Sequence, residues 1–459
     1  MGRSGRWPNT FLRRAPFSAT SRGSGALIVA LLLLAACASG DLPKSEPTKA
    51  DSIPPTVRIV QPTAGARVEG DSLTVEIEYA DQGSGVSVAS FKAMVNDRDI
   101  SGSFDQHSRG ATGRLSTGQR LQLGDNRLTV EIADRAGNVG RTEISFLNPG
   151  SGWLTIAATL KMPQGLSSLA LSPDGNALAS GFEDGTIQLW QLSGQEPKQA
   201  TVLKSHRGAV TALAYPLDGK VLASGGEDRT VRLWNLSDGS PRATLRGHGL
   251  RVTALSFAPD GKTLASGSAD RVIRLWDTTT AEPKEFTTLS GHSRVVSCLT
   301  FALDSKILVS GSADGTIRVW SMVDGPPKPG PVLNGHLLNV ASVTFISEER
   351  NLASAGADRT IRLWDLNSSK LKEKAVLEWF EEPIRLLVMT SDVNVLAAVG
   401  ENRITLWNRV SGAKLTEAAL PASTERAAAA SDGSRLVIHN KNGHGYLLRV
   451  GKYNPGKAQ

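Results

Sequence analysis

The chain is short of aromatic residues, of cysteine and of any long basic stretch. Phe, Trp and Tyr make up 5% of its 459 residues while Gly occurs 46 times, a balance that points to many short strands and tight turns rather than helical bundles. The two cysteines, Cys37 and Cys298, are placed badly for a disulfide. Cys37 ends an apolar run, and Cys298 sits in the strand-like stretch 295–301 and reads as a buried, inert thiol. The formal charge of +7 would suggest a nucleic-acid partner, but five of those charges are Arg3, Arg6, Arg13, Arg14 and Arg22, in a leader without any acid. The remainder is nearly neutral, so the electrostatic footprint of phosphate binding is weak and no nucleic-acid partner is expected. There is no Gly-x-Ser-x-Gly elbow, no His-Glu-x-x-His and no Cys pair spaced for metal, which leaves no catalytic residue, metal ligand or cofactor site to nominate.

What is present begins with Ala26–Ala36, an apolar run of 11 residues that ends on Cys37. It is too short to cross a bilayer, which takes about 20 helical residues, and its order of charged, apolar and small residues is that of a secretory signal. Leu34-Ala35-Ala36-Cys37 resembles a bacterial lipobox. That resemblance implies cleavage after residue 36, a lipid on Cys37 and attachment to a membrane of the cell envelope. Ala38 rather than Asp after the anchor favours the outer membrane. Residues 37–52 then carry the lipidated Cys and a Pro-, Lys- and Ser-rich tether that cannot bury a core.

Residues 53–149 alternate apolar and polar positions at 56–60, 73–79 and 126–132, the period of half-buried antiparallel strands. About seven strands of this kind suit an immunoglobulin-like β-sandwich. The segment Ala133-Asp-Arg-Ala-Gly-Asn-Val-Gly140 resembles a turn in bacterial Ig-like domains. Asp81, Asp134 and Asn138 read as turn formers that bond their own backbone, with Ca²⁺ ligation as the alternative.

The segment 153–451 repeats itself. Trp190, Trp234, Trp276, Trp320, Trp364 and Trp407 follow one another at steps of 44, 42, 44, 44 and 43 residues, and His206, His248, His292 and His336 at steps of 42, 44 and 44. Stretches such as Ala265-Ser-Gly-Ser-Ala-Asp-Arg-Val-Ile-Arg-Leu-Trp276 recur before the Trp. Period and motif resemble the WD-repeat family, whose repeats form four-stranded blades of a β-propeller. The resemblance implies a buried network in each of four blades: His206, Ser224, Asp228 and Trp234; His248, Ser266, Asp270 and Trp276; His292, Ser310, Asp314 and Trp320; His336, Ser354, Asp358 and Trp364. Asp accepts from imidazole, imidazole bridges to Ser, and Ser accepts from the indole N–H. Four copies of a Ser/His/Asp set argue for structure, not for four hydrolase sites.

The two ends of the repeat complement each other. Residues 154–160 form an outer-type strand with no blade before it, and 425–430, 435–438 and 445–450 are three inner strands lacking an outer one. Joining them predicts a closed, seven-bladed ring that hides two raw sheet edges; six blades is the alternative. Met162 and Phe380 stand where His is expected in two blades, and the last blade keeps neither His nor Trp. The expected architecture is therefore all-β: an Ig-like sandwich, a seven-bladed WD-repeat propeller over 153–451 and a tail at 452–459.

By the same resemblance such discs bind proteins or peptides on the face holding the loops before the first inner strand and before the tetrad Asp. Mapped here, those loops offer Glu183, Arg207, Glu227, Arg251, Arg294 and Asn339. The repeated Arg232, Arg274, Arg318 and Arg362 are expected to pack across blades or to snorkel, and Arg229, Arg271 and Arg359 to fill tight turns. The expected function is a monomeric, lipid-anchored envelope scaffold that binds protein or peptide partners. Hydrolase or lyase chemistry in the central channel is the alternative.

Overall fold

A computed structural model describes residues 51–451, apart from 69–71, 117–120, 149, 151–153, 195, 205, 281, 324, 347–350, 368–371, 378–379, 393, 410 and 421–422. The leader, Cys37, most of the tether and the tail at 452–459 lie outside the described residues. All described residues fall in one compact unit, Asp51–Gln459. It is all-β: apart from one 3₁₀ turn at Ser101–Ser103, the described elements are strands, and among them no helix is long and apolar enough to cross a membrane.

Residues 56–148 form two four-stranded antiparallel sheets. One takes the strands Thr56–Gln61, Ser72–Ala80, Gly110–Ser116 and Phe104–His107, the other Arg98–Asp99, Val86–Val95, Gly124–Asp134 and Val139–Asn148. Their alternating apolar positions meet in one core that includes Val75, Ile77, Leu128, Val130, Ile132 and Phe146. Eight strands are present where the alternation suggests about seven, because the two-residue strand Arg98–Asp99 is too short to show a period.

Residues 154–450 form seven more four-stranded antiparallel sheets. Sheets 1 to 6 are consecutive meanders over 166–204, 210–246, 252–290, 296–334, 340–377 and 386–419. Sheet 7 takes Thr424–Ala429, Arg435–Asn440 and His444–Val450 from the end of the repeat and adds Leu154–Lys161 from its start, which pairs antiparallel with His444–Val450. The first strand of each sheet packs on the first strand of the next, and that of sheet 7 packs on that of sheet 1.

The repeat in sequence becomes a repeat in packing. The second strand of every sheet carries a leucine in the same register, Leu178, Leu222, Leu264, Leu308, Leu352, Leu396 and Leu436, and each is 0% exposed. Burying one such leucine fully stabilises the fold by about 1.5–3 kcal/mol. Between neighbouring sheets the approach is close. A Cβ on Gly181, Gly225, Gly267 or Gly311 would come within 2.5–2.7 Å of Val210, Val252, Val296 or Val340 of the following sheet, so only glycine fits there.

The sandwich does not hang free. Leu123 donates its N–H to Ala419 O at 2.7 Å, and its side chain joins a core with Leu154, Val395, Leu420 and Tyr446 of sheets 6 and 7.

Candidate binding face

The four His–Ser–Asp–Trp sets come together in sheets 2 to 5. In each, one imidazole nitrogen lies 2.8 Å from the Ser Oγ, and the Trp Nε1–H donates to that same Oγ at 2.8–3.0 Å. Nδ1 lies 2.9–3.2 Å from the Asp carboxylate. The only assignment that serves every atom is Nδ1–H donating to Asp, with Nε2 accepting from the Ser hydroxyl while Ser accepts from indole. Each Asp also accepts the N–H of the residue after the histidine, Arg207, Gly249, Ser293 or Leu337. The network thus reaches from the sheet interior to the loop above it.

Electrostatics agree with neutral imidazoles. Burial outweighs the neighbouring carboxylate and pushes His206, His248 and His292 down from the ordinary imidazole range; the same buried geometry holds at His336. On the acidic side, burial alone would raise Asp228, but hydrogen bonds from Thr230, His206 and Arg207 together outweigh it and bring the carboxyl down to about 2. The four histidines are 6–7% exposed, and each set is bonded within itself, so none of these side chains is spare to act as a nucleophile or base.

Sheets 1, 6 and 7 are wired differently. Trp190 Nε1 still donates to Ser180 Oγ at 2.8 Å, but Met162 fills the histidine position. In sheet 6, Ala398 occupies the serine register, Trp407 Nε1 is buried with no partner, and the Phe380 ring meets the Trp407 ring edge-on at 5.7 Å. Sheet 7 packs Ile438 and Leu448 in those places.

The loops over the networks form one face, because each loop after a histidine hydrogen-bonds the turn beside it: Glu227 N to Ala209 O, Ala269 N to Arg251 O, Ala313 N to Val295 O and Ala357 N to Asn339 O. Glu183, Arg207, Glu227, Arg251 and Arg294 stand exposed on this face. Asn339 is half-buried and accepts from the Ser297 hydroxyl of the neighbouring sheet, so it serves the seam between sheets. Sequence reasoning passed over Leu250, Leu337 and Leu338, which stand in these same loops 50%, 76% and 55% exposed. The available signal was their position next to Arg251 and Asn339, beyond the last buried residue of the motif.

The repeated arginines do not bridge sheets where their partners are seen. Arg274 pairs with Glu285 at 2.6 Å on the adjoining strand of its own sheet, and Arg232 lies 3.6 Å from Asp228. Arg229, Arg271 and Arg359 hold φ of +65°, +73° and +65° in the turns before the third strands, the position Gly315 takes in sheet 4. Cys298 is free and half-buried, and burial pushes its thiol up to about 12.

In the sandwich, carboxylate oxygens of Asp51, Asp81 and Asp134 lie within 4.8 Å of one another. Asp51 accepts from Ser84 N, Asp81 from Gly83 N and Gly85 N, and Asp134 from Asn138 N. Their contacts tie the N-terminal segment to two turns.

Among known families, residues 166–327 match the model of the TEP-1 second beta-propeller, and residues 327–365 match that of the WD domain, G-beta repeat. No curated protein is significantly similar to the chain. The repeat region is therefore a β-propeller that includes a WD repeat.

Proposed function

We propose that the protein is a lipid-anchored cell-envelope scaffold that holds a protein or peptide partner on the loop face of a seven-bladed propeller, with residues 53–149 as an Ig-like domain docked against its closing edge. β-Propellers of the WD type commonly mediate protein–protein interaction. One observation carries the reading. The face above the four buried networks exposes Leu250, Leu337 and Leu338 beside Arg207, Arg251 and Arg294, a pairing of apolar and Arg side chains suited to an interface. The networks beneath hold the loops in place before a partner arrives, which lowers the ordering cost of association. Seven sheets joined through Leu154–Lys161 support the blade count, and the two packed antiparallel sheets at 56–148 support the sandwich.

Crosslinking in the native envelope, followed by purification of the protein, tests the binding role. One discrete partner is expected, and it should be lost with Leu337→Asp or Arg251→Glu while the fold is kept. Recovery of no partner, or of the same partner with both variants, would rule out this face. Anchoring is tested separately: palmitate should label the protein, and Cys37→Ala should remove the label.

A further inference from the structure

The seam between sheets 7 and 1 differs from those that follow sheets 1 to 4. In sheets 1 to 4 the register slot that faces the next sheet is Gly181, Gly225, Gly267 or Gly311, opposite Ser168, Ala212, Ala254 or Cys298. In sheet 7 that slot is His439, opposite Arg426. Two small residues have become two large polar ones. The hydroxyl clasps change as well. Ser167, Thr211 and Thr253 each donate to a carbonyl of the following sheet, whereas Glu425 occupies the same bulge in sheet 7. With large side chains in place of that glycine, the seam is bridged by Arg426, whose Nε donates to Ser167 O at 2.6 Å. A cavity of about 480 Å³ lies there on the loop face, lined among others by Glu183, Arg385, Glu425, Arg426, His439 and Lys441.

The lining is unfinished chemically. His439 is 2% exposed, and neither ring nitrogen has a hydrogen-bond partner; Glu425 lies 3.8 Å from Nδ1. A buried polar group left this way is destabilising. Arg426 spends Nε and one terminal nitrogen on the backbone carbonyls of Ser167 and Glu425, which do not neutralise it. Arg385 and Lys441 both reach toward Glu401, each at 3.8 Å. The lining holds three cations and two carboxylates, with Glu401 at its edge as the shared partner of Arg385 and Lys441. Burial and the like charge of Arg385 push Arg426 down from the ordinary guanidinium range, against the pull of Glu425 and Glu183. An anion with two oxygens would take a forked bond from a guanidinium, and His439 would give it one N–H.

We propose that the seam pocket between sheets 7 and 1 binds a carboxylate of the partner, from an acidic side chain or a free C-terminus, with Arg426, Arg385 and Lys441 as its cationic clamp and His439 as a donor. This rests on the partner-binding reading above and names the chemistry the partner presents at one point of the face.

The test uses the full-length protein and small probes, so it is independent of finding the partner. N-acetylglycine is titrated by calorimetry against N-acetylglycinamide and inorganic phosphate. Saturable binding of N-acetylglycine and none of the amide is expected. Arg426→Gln and Arg385→Gln should each weaken it about tenfold or more, the loss of one charge-assisted hydrogen bond. Lys262→Gln, exposed in the turn between the first two strands of sheet 3, should leave it unchanged. His439→Phe keeps the bulk in the seam and loses no existing hydrogen bond; it should melt no lower than the parent yet bind the probe more weakly, which a purely structural histidine would not do. N-Acetylglycine that fails to bind, binds no better than the amide, or binds Arg426→Gln as well as the parent would overturn the proposal, as would phosphate binding alone. An adjacent arm separates it from the broader reading. If the probe binds but, present in excess before crosslinking, does not reduce capture of the partner, the pocket stands and its role in partner recognition falls.

Discussion

Sheets 2 to 5 and sheets 6, 7 and 1 share one four-strand plan but hold together by different means. The first group repeats a polar relay from indole to serine to imidazole to carboxylate, fully satisfied in every copy. The second group keeps the buried leucine of the plan and replaces the relay piece by piece: Met162 for a histidine, Phe380 set edge-on against Trp407, Ile438 for a serine. A fully satisfied network specifies geometry at little cost, and a partly satisfied one is worse than an apolar core. Trp407 shows the intermediate state, with its indole N–H buried and unpaired. Irregularity therefore gathers where the ring closes, and the charged cavity lies in that same place.

The largest test of this contrast is at the closure. Leu160 is 2% exposed in the strand Leu154–Lys161 and packs with Leu166, Val437 and Leu447 from both sides of the seam. Leu160→Asp removes a buried side chain and puts a charge in its place, a loss of about 4 kcal/mol or more. Urea unfolding should show it, and limited proteolysis should cut near residue 161 first. Unchanged stability would mean that sheet 7 does not need its N-terminal strand.

Next in size is Ser266→Ala, the midpoint of one network. It orphans the Trp276 N–H and His248 Nε2 together, at about 1–3 kcal/mol for each buried group. Ser180→Ala in sheet 1 orphans the Trp190 N–H and drops the hydroxyl bond to the Gln188 carbonyl but strands no imidazole, and should cost less. Equal losses at the two sites would show that the histidine adds nothing to the relay.

Much of this architecture could be read from the residues, and the reason is repetition. Trp, His and Asp recur because each sheet must satisfy the same donors and acceptors, so their spacing exposes the sheets one by one. The joining of Leu154–Lys161 to the end of the repeat was legible from two leftovers of opposite kind. The seam pocket was not. His439 looks like a stray histidine until register places it opposite Arg426 and in the slot that elsewhere belongs to Gly225 or Gly267. Arg274 misled for a related reason: its position two before Trp276 fixes its face but not its reach, and the partner, Glu285, lies on the outer strand of the same sheet. Leu337 and Leu338 were hidden by composition, since leucine in a strand-rich protein is expected inside.

A smaller effect per sheet separates the groups by pH. Burial holds His206, His248 and His292 below the ordinary imidazole pKa of about 6.5. Such a histidine takes up its proton more readily when the protein is unfolded. Its contribution is therefore complete above about pH 6.5 and is lost as pH falls through that value toward the folded pKa. Asp228 adds a second, more acidic loss, complete above about 3.8 and fading toward about 2. Nitrogen-resolved NMR should find these imidazoles as the neutral Nδ1–H form just below pH 6.5, while a urea midpoint falls over the same range. Imidazoles that titrate at or above the ordinary value would mean the networks are open to water.

The smallest expected change is a gain. If satisfaction of the indole N–H is what sheet 6 lacks, restoring one atom should help. Ala398 holds the register of Ser224 and Ser266, opposite Thr405 on the next strand, and is almost wholly buried. Ala398→Ser adds a hydroxyl where the Trp407 N–H now has nothing to meet. The new bond is worth about 0.5–1.5 kcal/mol. Against it stands the hydroxyl's own proton, which in sheets 2 to 5 goes to histidine and here would face Phe380. Ser180 shows the way out, since beside Met162 it donates instead to the Gln188 carbonyl of the neighbouring strand. The matching acceptor in sheet 6 is the Thr405 carbonyl, so a net rise in melting temperature is expected. A fall would show that the histidine, and not the indole bond, is what makes serine tolerable at this position, and that sheets 6 and 7 lost the two residues together for that reason.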